Sequence, residues 1–229
     1  MSFRTAPYVS AKSKLIPFPA SNIAERDAVA ASTAYSLTVQ NNSSQGWNFY
    51  VYQQNPGTPN PNVFSLAWFV KGANPGSQVT FNWTIDYSFV WSETGQLVPG
   101  VTFTASQVLP ADPTTDNLVT FTKNTFGYAF TNESAGGTPG SLTIVDDGSV
   151  PSLQASVGIG MSGNGTFVTQ AQPNVSNIFT PTPTYWVSFG TSVQQGQVLA
   201  QTVGNSAQVV FAPNVYSTTM ALNASNQWS

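Results

Sequence analysis

The chain has 229 residues, of which 41% are hydrophobic, 13% aromatic and only 7% charged. An ordinary soluble domain carries roughly 25% charged residues, so Ser, Thr, Asn and Gln must clothe most of this surface. With no His, no Cys and a net charge of −3, disulfides, thiolate metal sites and imidazole acid–base chemistry are excluded, and copies of the chain repel one another weakly.

In chain order, residues 1–33 read as an extended N-terminal arm. Pro7, Pro17 and Pro19 keep it from coiling, and Arg4, Lys12, Lys14 and Arg26 are four of the six basic residues. Asn22 followed by Glu25 predicts a capped short helix over 22–32. The longest apolar run in the first twenty residues is Leu15-Ile16. A standard signal peptide is therefore not expected, which implies cytoplasmic synthesis and a non-standard route for any export. Nowhere does an apolar run approach the ~20 residues of a spanning helix.

From Tyr35 onward the hydrophobic period is two. Tyr35, Leu37 and Val39 alternate with polar neighbours, as do Trp47, Phe49 and Val51, then Val79, Phe81, Trp83 and Ile85. Shorter runs follow at 101–103, 142–144, 157–159, 185–189, 209–211 and 220–222. Turn sequences such as Asn55-Pro56-Gly57, Asn74-Pro75-Gly76 and Asp146-Asp147-Gly148 separate them. Alternation of this kind buries one face of a strand and wets the other. Roughly a dozen short strands at this spacing predict one all-β domain over 34–229, an antiparallel two-sheet sandwich of jelly-roll type.

Few residues offer reaction chemistry. No Asp, Glu, Lys or Arg follows Asp147. Asp86 and Glu93, near Trp83, Tyr87 and Trp91, are a carboxylate pair that a glycosidase could use only if a turn brought them together. Asp112, Asp116 and Asn117 in one loop, and Asp146-Asp147 in another, offer oxygen ligands without the EF-hand spacing; Asx turns explain them better. Gly158 to Gly163 matches G-x-G-x-x-G. A dinucleotide site needs an acidic residue about 20 positions later, and there is none, so close backbone approach is the better reading. Seven N-x-S/T sequons carry little weight in a chain this rich in Asn, Ser and Thr.

The strings Ser65–Phe69, Trp83–Trp91, Gly158–Gly163 and Phe211–Tyr216 resemble the rhizosphere-expressed RhiA protein family, over about residues 36–229. The resemblance implies an abundant small bacterial protein with quorum-regulated expression. It brings no settled activity and no catalytic residues.

The expected function is therefore non-enzymatic and structural, with copies of the chain itself as partners in a filament or ordered array. Uncharged sheet edges accept neighbouring strands, and Leu15, Ile16, Phe18 and Ile23 are the arm residues suited to lie across a neighbour. The alternative is a carbohydrate- or surface-binding module. Tyr50 and Tyr52 alternate with the Trp47/Phe49/Val51 face and are the candidate glycan-facing rings. A nucleic-acid partner is not expected, because Lys71 and Lys123 are the only basic residues after Arg26 and cannot neutralise a phosphate backbone. Neither a cofactor nor a metal is implied.

Overall fold

The computed structural model describes residues 33–54, 61–181 and 184–229. The expected short helix at 22–32 and the arm residues Leu15, Ile16, Phe18 and Ile23 lie outside the described residues. The rest is all-β, as expected. Its strands are β1 (Ala34–Asn41), β2 (Trp47–Gln53), β3 (Phe64–Ser65), β4 (Phe69–Ala73), β5 (Gln78–Thr84), β6 (Tyr87–Ser92), β7 (Gln107–Pro110) and β8 (Leu118–Asn124). They continue with β9 (Gly127–Ser134), β10 (Leu142–Asp146), β11 (Ser156–Met161), β12 (Asn164–Gln170), β13 (Val175–Phe179), β14 (Tyr185–Gly190), β15 (Ala207–Val209) and β16 (Ser217–Leu222).

The strands form four sheets where two were expected: β16-β1-β5, β15-β14-β2-β4, β3-β12-β11-β6-β7 and β13-β10-β8-β9. Most pairings are antiparallel, but β1 pairs with β16, and β8 with β10, in parallel. These two parallel pairings depart from the all-antiparallel jelly roll expected. Parallel neighbours cannot be joined by a tight turn, and β1 and β16 come from the two ends of the described chain.

Alternation explains how the sheets stack. Leu37, Val39, Phe81 and Trp83 of the first sheet meet Phe49, Val51, Tyr185 and Val187 of the second in one buried cluster. Val119, Phe121, Leu142, Ile144 and Phe179 of the fourth meet Phe89, Trp91, Val157 and Ile159 of the third in another. Burial of one large apolar side chain contributes roughly 1.5–3 kcal/mol, so each face-to-face layer holds its pair of sheets. Trp68 is fully buried, and its Nε1 donates to the Met161 carbonyl at 2.8 Å. That bond ties the segment between β3 and β4 to the end of β11.

The Gly158–Gly163 string is a strand end and its turn. Ser162 and Gly163 have φ values of 49° and 75°, the paired positive values of a type I′ hairpin that joins β11 to β12. A Cβ at Gly158 would overlap the Phe167 carbonyl of the paired strand. Gly158 and Gly160 serve close backbone approach, and Gly163 the positive φ of the turn.

Candidate functional site

Several Asp side chains among the described residues bond to the fold itself. Asp86 and Glu93 are both exposed and flank β6 on opposite sides. Six strand residues separate them, about 20 Å along the chain, well beyond the spacing a glycosidase pair needs. Asp86 instead accepts from Ser162 N at 2.9 Å, Ser162 Oγ at 3.1 Å and Thr84 Oγ1 at 2.9 Å. It pins the β5–β6 turn to the β11–β12 turn. Asp112 accepts from the backbone of Thr114 at 2.7 Å and of Thr115 at 3.1 Å. Those two bonds hold its carboxyl below the usual range. Asn117 is buried, donating to the carbonyls of Pro113 and Thr138 and accepting from Gly137 N. Asp147 is bonded by the hydroxyl and amide of Ser149, and the hydroxyl bond is the main cause of its lowered pKa.

Tyr50 and Tyr52 do point away from the Phe49/Val51 face, as period two requires. They are nevertheless covered, at 6% and 5% exposure. The chain from Val193 to Val203 folds back over this face, and Ala67, Leu199 and Val203 close on the two rings. Backbone bonds from Ala67 N to Gln197 O and from Leu199 N to Ser65 O hold the flap. Burial raises the pKa of both phenols. The expectation of two outward rings is corrected accordingly: a second layer covers the sheet's other face. Trp186, on the adjacent strand, was not among the expected ligand-facing rings. With Tyr52 it borders a cavity of about 310 Å³ under residues 199–206.

The sheet edges are the other candidate, and most carry a blocking device. Lys71 of β4 donates its Nζ to the Thr80 carbonyl on the edge of β5. Ser229 pairs with Ala221 through both backbone groups and covers the end of β16. β3 and β15 have two and three residues. β7 ends in Pro110, while β9 carries Glu133 and an irregular register at its far end. Short strands, Lys, Pro and bulges are the usual means of keeping an edge from pairing.

Among the described residues β13 has none of these. Its sequence, Val-Ser-Asn-Ile-Phe, contains no charge and no proline. Thr143 N donates to Asn117 O toward β8, so the even residues of β10 face β13. In the Ile144↔Asn177 register this turns the backbone groups of Val175, Asn177 and Phe179 inward. Those of Ser176 and Ile178 point off the sheet. Ile178 is 58% exposed. A cavity of about 280 Å³ runs beside the strand, lined by Val63, Gln170, Gln172 and β13 itself.

Beneath the edge lies Asp146, fully buried. Its Oδ2 accepts from Gln172 N at 3.1 Å and from Asn177 Nδ2 at 3.0 Å, while Oδ1 has no partner. Burial pushes its pKa up to about 6, against the pull of those two bonds. Asp146 thus sets the position of β13 from below.

A charge-poor all-β protein with, among the described residues, an unguarded edge at β13 and a neutral cavity beside Trp186 is the class these features define. Residues 32–229 match the RhiA family model. The chain is 46% identical over 204 residues to "Protein RhiA" of Rhizobium leguminosarum bv. viciae, covering 88% of this chain and 87% of that protein. The chain belongs to the RhiA family. No solved structure matches it.

Proposed function

We propose that this protein is a non-enzymatic structural component that assembles with copies of itself, and that β13 is the strand through which two copies join. The observation that carries the reading is the outward backbone of Ser176 and Ile178 on an edge without charge, proline or bulge. An antiparallel pairing of two β13 strands about Asn177 sets Ser176 of one copy against Ile178 of the other. The same contact then recurs on both sides of a two-fold axis. Two four-stranded sheets become one of eight strands.

Strength follows from size. Cross-strand pairs contribute roughly 0.2–1 kcal/mol each, so a five-residue edge alone gives an association near the millimolar range, about 4 kcal/mol. An isologous contact also closes on itself, and an array needs a second one. Leu15, Ile16, Phe18 and Ile23 of the arm are the residues proposed for it. A second tether raises the effective concentration of the first.

Sedimentation velocity over a wide concentration range tests the edge. The protein is expected to associate, and both Ser176→Pro and Ile178→Lys to shift it to single subunits while circular dichroism stays unchanged. Wild-type protein that remains a monomer at millimolar concentration, or folded variants that associate as before, would remove β13 from the reading. Deleting residues 1–33 is expected to reduce larger assemblies to dimers.

A further inference from the structure

We propose that the cavity between Tyr52, Trp186 and residues 199–206 binds a neutral sugar residue. This site is separate from the β13 edge and uses different elements. It lies over the outer face of β2 and β14, where Tyr52 and Trp186 are register partners.

Charge narrows the ligand first. Apart from the Tyr52 phenol, the lining of Gln54, Val63, Ser65, Trp186 and residues 199–203 with Ser206 contains no ionisable group. Burial raises that phenol's pKa, so it is neutral at physiological pH. A charged ligand entering here would lose hydration with no counter-charge to offset it, and unpaired burial of charge is costly. A purely apolar ligand fails for the opposite reason. It would strip water from the amides and hydroxyls of Gln54, Ser65, Gln201, Thr202 and Ser206 without returning hydrogen bonds.

An uncharged molecule with many hydroxyls and one apolar ring face satisfies both limits. The amide and hydroxyl side chains can each donate and accept, which suits a ring bearing hydroxyls around its rim. Trp186, half-buried, supplies the aromatic wall, and Tyr52, at 5% exposure, contributes little of it. At about 310 Å³ the cavity is at the small end of ligand sites, which favours one or two sugar units over a chain bound along its length.

The flap is also anchored where a site needs it to be. Ser188 Oγ donates to Gly204 O at 2.9 Å and to Asn205 O at 3.3 Å, and Leu199 N is tied to Ser65 O at 2.9 Å. One end of residues 199–206 is fixed to β14 and the other to β3 of the neighbouring sheet, so the cavity wall is held before a ligand arrives. Preorganisation of this kind lowers the entropy lost on binding.

The test is saturation-transfer NMR and tryptophan fluorescence on the full chain. The probes are glucose, galactose, mannose, N-acetylglucosamine and their dimers, with glucuronic and galacturonic acids as the charged arm. At least one neutral sugar is expected to bind, with affinity falling at least tenfold in Trp186→Ala. Ala200→Trp fills the cavity from an exposed position and is expected to abolish binding while leaving the core intact. Gln201→Ala, also exposed, is expected to weaken it. No binding by any neutral sugar, preference for the acids, or binding that survives in folded Ala200→Trp would overturn the proposal.

Discussion

Asn177 of the edge strand donates its Nδ2 to the carboxylate of buried Asp146 at 3.0 Å. The strand with the least protection on its outer side is thus held on its inner side by the most deeply buried acid of the described chain. The pairing joins the stability of the fold to the surface through which copies are proposed to meet.

A pH dependence follows. The Asp146 carboxyl titrates at about 6 in the folded chain against an ordinary value of 3.8. A raised carboxyl pKa means that the neutral form is favoured by the fold. Its contribution is complete below about pH 4, declines as pH rises from about 4 to 6, and is gone above that. The interval corresponds to on the order of 3 kcal/mol. Denaturant unfolding measured from pH 4 to 7 is expected to show this decline, and Asp146→Asn to flatten it. A wild-type profile that rises across the same interval would contradict the assignment.

Glycine variants separate two kinds of constraint. Gly158→Ala drives a methyl into the Phe167 carbonyl of the paired strand. It is expected to cost roughly 3 kcal/mol or more, since backbone cannot step aside as a side chain can. Gly163→Ala meets nothing within 4 Å but must hold a φ of 75°, which costs roughly 1–2 kcal/mol. Chemical denaturation of both should rank them in that order.

Removing Lys71 exposes a second edge. Its Nζ caps the Thr80 carbonyl on β5 and lies 5.7 Å from the centre of the Phe81 ring. Exposed charge contacts of this sort are worth roughly 0.5–1 kcal/mol, so Lys71→Met is expected to change stability little. Its effect should appear as faster growth of scattering on concentration. Unchanged scattering would mean that β5 is blocked by some other group.

Asp86 acts as a staple between two turns. Losing its three bonds to Thr84 and Ser162 is expected to cost about 1–2 kcal/mol in Asp86→Ala. The melting temperature of the variant measures it. The same residue shows why carboxylate counting misleads in this chain. Asp86 and Glu93 are seven positions apart in sequence, and a turn between them was needed for chemistry; a continuous strand lies there instead.

Much of the body was legible from its residues. Leu37 and Val39, Phe49 and Val51, and Phe81 and Trp83 all lie on the buried faces that alternation assigns them. Close backbone approach at the strand end near Gly158 was legible too, whereas the hairpin turn at Ser162-Gly163 came from the structure. β13 was not among the expected strands, because Val175-Ser176-Asn177-Ile178-Phe179 follows Pro173-Asn174 and offers only three apolar residues. Trp186 was legible as a strand residue but not as a cavity wall.

Alternation is a local property, carried by each short segment, so the amino acids alone determined that this chain is pleated, charge-poor and without the usual parts for acid–base catalysis. Which strand lies beside which is a contest among many similar apolar faces, settled by packing between distant segments. Only the folded arrangement therefore decided that β1 runs parallel to β16, that a flap covers Tyr50 and Tyr52, and that β13 has, among the described residues, no strand on its outer side.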